Sequence, residues 1–196
     1  MFSDLRVSPH RQCDHCFGAQ LLPCHRLAAA HMDVRIPPLL FQRGIHLYSH
    51  SRLEAPDKAE VIRMMRGFYA SEAVHTNGSE EVFNNDVDAC VSDNPFASGY
   101  VFTREDGSIC GYSMLAHSYS TEYGRPAIWI EDLFIEEDAR SKGLSDMLFN
   151  LVKQKYPDHV HRLEIEETNL RAIRTYKKNG FTTLPYAEMI REPEDK

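Results

Sequence analysis

The stretch Ile128-Trp-Ile-Glu-Asp-Leu-Phe-Ile135, followed by Arg140-Ser-Lys-Gly-Leu-Ser145, decides the fold of this 196-residue chain. The first segment carries the β-branched and aromatic residues that are typical of a strand, and apolar periodicity from 145 to 156 predicts a helix. Gly143 lies in the turn between them, where the absence of a Cβ lets an anion approach the backbone N–H groups at the start of the helix. This strand, turn and helix predict a binding site for the phosphates of a nucleotide-like cofactor.

The turn lacks the glycines of the dinucleotide fingerprint and the Gly-Lys-Ser/Thr end of the P-loop, which disfavours NAD and ATP. It matches Q/R-x-x-G-x-G/A, the turn of the GNAT acetyltransferase superfamily, except that Ser145 replaces the last Gly or Ala. A second segment, Asn169 to Phe181, resembles the superfamily pattern N-x-x-A-x-x-x-Y-x-x-x-G-F. The chain therefore resembles GNAT enzymes from about residue 45 to residue 190. Within that superfamily, the chain is most similar to the spermidine/spermine N-acetyltransferase branch and its small bacterial relatives. This similarity lies in residues 130–135 and in the spacing from Asn169 to Tyr176.

Periodicity along the rest of the chain predicts an α/β fold. We expect strands at 46–53, 99–103, 109–116, 127–135 and 160–166, helices at 56–73, 79–90, 145–156 and 170–178, and one or two final strands within 181–190. The resemblance implies the GNAT fold, in which a mixed, mostly antiparallel central sheet has a splayed strand pair and flanking helices. It makes residues 45–196 the acetyltransferase domain and residues 1–44 an N-terminal extension.

The extension is rich in potential metal ligands, namely Cys13, Cys16, Cys24 and His25. A tetrahedral zinc site needs two spaced pairs of ligands, but Cys24 and His25 are adjacent. The alternative is a disordered or non-native leader, because Lys and Glu are absent from it and prolines interrupt it. We predict no metal site, while a metal-binding interaction module at these residues stays open. The extension also lacks the uninterrupted apolar segment of a secretory signal, so we expect a cytoplasmic protein with Cys90 and Cys110 as reduced, buried thiols.

Charge is unevenly distributed along the chain. The first 52 residues hold six Arg and three Asp with no Lys or Glu, whereas the remainder holds 16 basic and 26 acidic side chains. An acidic domain does not suit the phosphates of nucleic acids, and no apolar run has the length of a membrane span. The pattern suits a cationic small molecule or a basic peptide as the partner, and ordinary solubility is the alternative explanation of the acidic charge. The resemblance adds a homodimer, since GNAT enzymes commonly dimerise.

The resemblance implies that acyl-CoA, here acetyl-CoA as co-substrate, binds in the gap between the splayed strands. The backbone of Leu133, Phe134 and Ile135 would pair with the pantetheine arm. The pyrophosphate would be held by the turn Arg140, Ser141, Lys142, Gly143, Leu144, Ser145 and Asp146. Asn169, Arg171 and Tyr176 would contact the cofactor from the other side.

Transfer of an acetyl group from a thioester to an amine needs a base for the ammonium and an acid for the departing thiolate. By resemblance, Tyr176 is the general acid and Glu131 the base. Glu164 and Glu166, which we expect on one face of the neighbouring strand, and ordered water remain alternative bases. Consecutive strand residues face opposite ways, so Glu131 and Asp132 cannot both face one pocket without a bulge.

The acceptor is expected beneath two loops, 69–78 and 117–125. They carry the candidate acceptor residues Glu72, His75, Asn77 and Glu122, to which we add Glu164 and Glu166. Acidic and aromatic side chains suit an amine that approaches as a cation. Polyamine, amino-acid, aminoglycoside and peptide acceptors all fit this description. A non-catalytic acyl-CoA-binding or partner-binding protein of the same fold is the alternative function.

Overall fold

The computed structural model describes residues 47–71, 73–74, 78–187 and 189–191. In chain order these residues form β1 (Tyr48–Arg52), α1 (Lys58–Tyr69), α2 (Glu80–Val91), β2 (Ala97–Arg104), β3 (Ile109–Ser120), β4 (Arg125–Ile135), α3 (Leu144–Lys155), β5 (Val160–Leu163) and α4 (Leu170–Lys178). Short 3₁₀ turns at Ala55–Asp57 and Glu137–Ala139 precede α1 and follow β4. Within these ranges, no helix combines the length and the apolar character that crossing a bilayer requires.

The five strands form one sheet in the order β1-β2-β3-β4-β5. Neighbouring strands are antiparallel, except that β4 and β5 run parallel. Their pairing ends at Ile130 and Leu163, whereas β4 continues to Ile135. Among the described residues, this last part of β4 therefore has no strand on its β5 side. The predicted mixed sheet with a splayed strand pair and flanking helices is confirmed.

Two apolar cores lie on opposite faces of the sheet. On one face, α1 and α2 contribute Val61, Met64, Met65, Phe83 and Val87 to a cluster with Val101, Tyr112 and Met114 of the sheet. On the other face, α3 contributes Leu144, Leu148 and Val152, spaced one helical turn apart, to a cluster with Phe102, Leu115, Ile128 and Ile130. Each fully buried side chain of this size stabilises the fold by about 1.5–3 kcal/mol relative to exposure. The cores thus fix α1 and α3 on either side of β4.

Several local predictions are confirmed. The Ser79 hydroxyl accepts a hydrogen bond from the Val82 N–H at 3.2 Å, and α2 begins at the next residue. The helix predicted at 170–178 has these bounds. Cys90 and Cys110 are buried free thiols, as expected.

Other boundaries were wrong. The predicted loop 117–125 is mostly strand, because β3 and β4 stay paired as far as Ser120 and Arg125 and only a tight turn joins them. The strand predicted to reach residue 166 ends at Leu163. No strand forms among residues 181–187 and 189–191, and Phe181 instead packs against Phe149, with 5.3 Å between ring centroids. The first helix ends at Tyr69, earlier than the predicted residue 73.

Candidate active site

The turn between β4 and α3 has an unusual backbone. Ser141 and Gly143 both have left-handed φ angles, 64° and 87°. Gly143 caps α3, and a Cβ built on it would meet no atom within 4 Å, so it faces open space. Left-handed residues in a turn orient successive N–H groups toward one side, and the N-terminus of α3 adds positive potential there. The turn has the geometry of an anion-binding site.

A cavity of about 700 Å³ opens beside this turn. It is lined by the last residues of β4, the first turn of α3, one side of α4 and the C-terminal end of α1. Every residue that the sequence predicted to bind the cofactor lines this cavity except Lys142. The structure therefore brings the two sequence motifs together around one cavity.

The α1 wall of the cavity was not predicted. Gly67, Phe68, Ser71 and Ala73 line it, and the Phe68 ring lies 6.0 Å from that of Phe134 on β4. The apolar spacing of α1 indicated only a core-facing helix. The exposed glycine inside that helix was the one local signal of a special surface, since glycine is unfavourable in helix interiors.

Side chains of α4 and of the turn itself hold the turn in place. The Arg171 Nη2 donates a hydrogen bond to the Ser141 Oγ at 3.0 Å, which joins α4 to the turn. The Arg140 Nε donates to the Ile135 carbonyl at 2.9 Å. The Asn169 Oδ1 accepts from the Ala172 N–H at 3.1 Å and so caps α4. The polar ends of Arg140 and Asn169 thus have protein partners that the sequence pattern did not reveal.

Asp146 is also engaged within the protein. Its two carboxylate oxygens accept hydrogen bonds from Asn179 Nδ2 at 2.8 Å and Lys178 Nζ at 2.6 Å. The hydrogen bond from Asn179, and then that from Lys178, lowers the pKa of Asp146. This carboxylate connects the first turn of α3 to the end of α4, which fixes the two helices that flank the cavity.

Tyr176 lies on the cavity side of α4. Its ring packs edge-on against Phe149, with 5.7 Å between centroids, and lies 6.1 Å from Phe181. Burial raises the pKa of its hydroxyl above the ordinary value of 10.0. The hydroxyl is therefore protonated at neutral pH and is a hydrogen-bond donor beside the cavity.

A β-bulge lies in β4 where the two candidate carboxylates occur. Met114 of β3 pairs with Asp132 and Leu115 pairs with Ile130, so Glu131 is the extra residue. In a regular strand the side chains of residues 130 and 132 would face the same side of the sheet. Because of the bulge they face opposite sides: Ile130 packs in the α3 core, while Asp132 contacts α1. The carboxylate of Glu131 is thus near enough to α1 for its charge to act on Tyr69.

Asp132 is buried, with 5% of its surface exposed. Its carboxylate accepts hydrogen bonds from the Tyr112 hydroxyl at 3.0 Å and from the Tyr69 hydroxyl at 3.3 Å. Desolvation raises the pKa of Asp132 to about 6, although the two tyrosines oppose the shift. The charges of Asp86 on α2 and of Glu131 add to the rise. Asp132 therefore ties the C-terminal end of α1 to the bulge.

The remaining predicted residues are placed as follows. Glu164 and Glu166 follow β5 rather than lying within it, so the expectation that they share a strand face was wrong. Glu122 is exposed in the turn between β3 and β4, and it accepts a hydrogen bond from the Tyr186 hydroxyl at 3.2 Å. Glu72, His75 and Asn77 lie outside the described residues, as do Cys13, Cys16, Cys24 and His25 of the extension.

The part of the chain that the structure describes contains no group of three or more His, Cys, Asp or Glu that could hold a metal ion.

Comparison with known proteins agrees with this geometry. The model of the acetyltransferase (GNAT) family matches residues 62–181, which include α1, the turn, α3 and α4. A possible acetyltransferase from Clostridium difficile 630 has a similar structure, with a TM-score of 0.64 and 21% identity over 76% of this chain and 99% of that one.

Two further structures have the same fold. Aminoglycoside acetyltransferase AAC(6')-Iy, in complex with the bisubstrate analog CoA-S-monomethyl-acetylneamine, has a TM-score of 0.61 and 11% identity over 74% of this chain and 98% of that one. Ribosomal-protein-alanine N-acetyltransferase from Brucella melitensis biovar Abortus 2308 has a TM-score of 0.58 and 16% identity over 74% of this chain and 99% of that one.

Proposed function

Because this chain belongs to the acetyltransferase (GNAT) family, we propose that it transfers the acetyl group of acetyl-CoA to the primary amine of a small metabolite that arrives as a cation. The observation that carries the proposal is one cavity lined by the open edge of β4, the left-handed turn before α3 and Tyr176 of α4. The spermidine/spermine branch stays a resemblance within that family.

The residues around the cavity fit acetyl-CoA. Among the described residues, the backbone of β4 beyond Ile130 has no strand partner on one side, so Leu133, Phe134 and Ile135 can offer hydrogen bonds to the pantetheine amides. The N–H groups around Gly143 and the guanidinium of Arg171 suit a pyrophosphate. Lys142, which lies outside the cavity lining, adds positive charge at its edge. One structure with the same fold holds a CoA-linked analog, which supports this choice of co-substrate.

The chemistry requires three proton movements. The acceptor ammonium gives one proton to a base, its nitrogen bonds to the thioester carbonyl carbon, and the C–S bond breaks. The departing sulfur then takes a proton from the acid, and the nitrogen gives up its second proton, which restores the acid, so the products are an N-acetyl amine, CoA thiol and one released proton. Tyr176 suits the second transfer because its buried hydroxyl carries a proton at neutral pH.

We assign the first transfer to Glu131. It lies at the bulge, where β4 begins to line the gap, and its charge is close enough to α1 to act on Tyr69. Asp132 is less suited to this task, because Tyr112 and Tyr69 both donate hydrogen bonds to its carboxylate. Glu164, Glu166 and ordered water remain the alternatives.

The acceptor would enter from the α1 side, where the acidic side chains attract an ammonium. Glu122 is one candidate contact, and Glu72, His75 and Asn77 of the loop after α1 are the others. We further propose a homodimer, on the strength of the resemblance alone. A cytoplasmic location accords with the free thiols of Cys90 and Cys110.

A turnover screen tests the proposal. The full chain is incubated with acetyl-CoA and with polyamines, amino acids, aminoglycosides and peptides in turn, while thiol release and the acetylated amine are measured. We expect one amine class to give stoichiometric thiol and N-acetyl product. Tight acetyl-CoA binding without turnover of any class would instead support the non-catalytic acyl-CoA-binding protein.

A further inference from the structure

A second charged group lies beside the gap and has no role in the chemistry above. Arg162 of β5 is paired directly with Trp129 of β4, and its guanidinium carbon lies 4.7 Å from the centroid of the indole ring. The Arg162 Nε is buried yet has no hydrogen-bond partner among the described residues. Because this Nε is shielded from solvent, a ligand would meet the guanidinium at its outer Nη edge, where an anion can accept charge-assisted hydrogen bonds.

The pairing places this guanidinium on the acceptor side of the sheet. Ile130 and Leu163, the next pair along, pack in the α3 core, so Trp129 and Arg162 point to the opposite face. That face also bears Asp132, which contacts α1. Arg162 is therefore one residue from the point where β4 and β5 part.

Glu131 follows Trp129 by two residues, a distance of about 7 Å along a strand. An arginine side chain and a small ligand can span such a distance. A ligand held by Arg162 can thus present its amine near the bulge and the thioester end of the cavity.

The chemistry of the guanidinium determines which ligand fits. Its contact with the indole ring, 4.7 Å from guanidinium carbon to ring centroid, holds the group at this position. The two Nη groups form the outer edge of the guanidinium, and their N–H groups match the two oxygens of a carboxylate. A polyamine or an aminoglycoside carries no anion for this edge and is repelled by it.

We propose that Arg162 binds a carboxylate of the acceptor, so that the acceptor is an amino acid or a similar small amine that also carries a carboxylate. The inference rests on the proposed acetyl transfer and narrows its acceptor from cationic amines in general to zwitterionic ones. The ammonium still meets the acidic side chains near the bulge, while the carboxylate meets Arg162.

Trp129 is the only tryptophan of the chain, so its fluorescence reports on this site alone. The full chain saturated with CoA is titrated with L-amino acids and, separately, with their α-carboxamides, which keep the amine and the side chain but lose the negative charge. We expect at least one amino acid to change the fluorescence saturably, with an affinity about 10- to 100-fold above that of its amide.

Arg162→Met keeps an unbranched apolar chain on the indole and should abolish the preference for the acid. Arg162→Lys keeps the positive charge but loses the paired N–H groups of the guanidinium, so it should retain only a weak preference for the acid. This second variant tests the inference even if the methionine variant fails to fold. Lys153→Met removes an exposed cation from α3 and should leave the preference unchanged.

Equal affinities for acid and amide, or a preference that survives in Arg162→Met, would overturn the inference. A turnover assay with the same ligands separates it from the proposed function. If amines are acetylated with no preference for the acid, the Arg162 assignment fails and acetyl transfer stands. If amino acids bind through Arg162 and none is acetylated, the proposed reaction fails and the carboxylate site stands. If no amino acid or amide binds or reacts, the Arg162 assignment fails, and the screen over polyamines, aminoglycosides and peptides decides whether acetyl transfer stands.

Discussion

Asp132→Asn should change how stability depends on pH. The pKa of this carboxyl rises from an ordinary value of 3.8 to about 6 in the folded protein, mainly by desolvation. The folded state therefore holds the proton more tightly than the unfolded chain does. The contribution of this group is fully present below about pH 4 and is lost as the pH rises through about 6. Because one pKa unit corresponds to about 1.4 kcal/mol, the loss approaches about 3 kcal/mol.

The measurement is urea unfolding, followed by far-ultraviolet circular dichroism, from about pH 4 to about pH 7.5 at constant ionic strength. The asparagine cannot titrate, so the free energy of unfolding of the wild type minus that of the variant should fall by about 3 kcal/mol across this range. Asp93→Asn removes an exposed carboxylate after α2 and serves as the matched control. A difference that is constant with pH, or that grows as the pH rises, would refute the account of Asp132.

Three further predictions concern the turn, the base and the extension. Gly143→Val should weaken acetyl-CoA binding far more than Lys142→Ala, whose exposed charge is worth about 1 kcal/mol or less, and calorimetric titration measures both. Gly107→Val places similar backbone strain in the β2–β3 hairpin and should leave the affinity unchanged; equal losses at Gly143 and Lys142 would contradict the prediction. Glu131→Gln should lower kcat/KM at neutral pH and recover part of it at higher pH, where more of the amine is neutral; an unaffected variant would move the base to Glu164, Glu166 or water. A chain that begins at Gly44 should unfold cooperatively and keep its acetyl-CoA affinity, and loss of either on truncation would show that the extension belongs to the domain.

The parts of the site that the sequence predicted are those formed by local interactions. Gly143 and the residues around it lie in a single turn, and the motif from Asn169 to Tyr176 lies along one helix. Their residue types follow from the demands of backbone geometry and helix spacing, which are set within a few residues. Both motifs line the cavity in the structure.

The parts that escaped prediction depend on contacts between distant segments. The bulge at Glu131 follows from the pairing of β4 with β3, which sequence spacing alone does not fix. The hydrogen bonds that Asp132 accepts come from residues 20 and 63 positions away, on β3 and α1. Likewise, the contact between the Arg162 guanidinium and the Trp129 indole is visible only once β5 lies beside β4.

Boundary errors have a similar origin. Polar residues at 117–125 favoured a loop, but cross-strand pairing with β4 extends β3 to Ser120. One or two final strands were expected within 181–190, but the Phe181 ring packs with Tyr176 and Phe149 instead. In both cases tertiary packing overrides local preference.

The central claim is that this cavity transfers an acetyl group with Tyr176 as the acid, and Tyr176→Phe tests it most directly. The substitution keeps the ring that packs against Phe149 and removes only the hydroxyl. With an amine identified by the turnover screen, kcat should fall by roughly 10²- to 10⁴-fold while the dissociation constant of acetyl-CoA is nearly unchanged. Tyr48→Phe, which removes a hydroxyl from β1, should keep full activity. Undiminished turnover by Tyr176→Phe would contradict the claim.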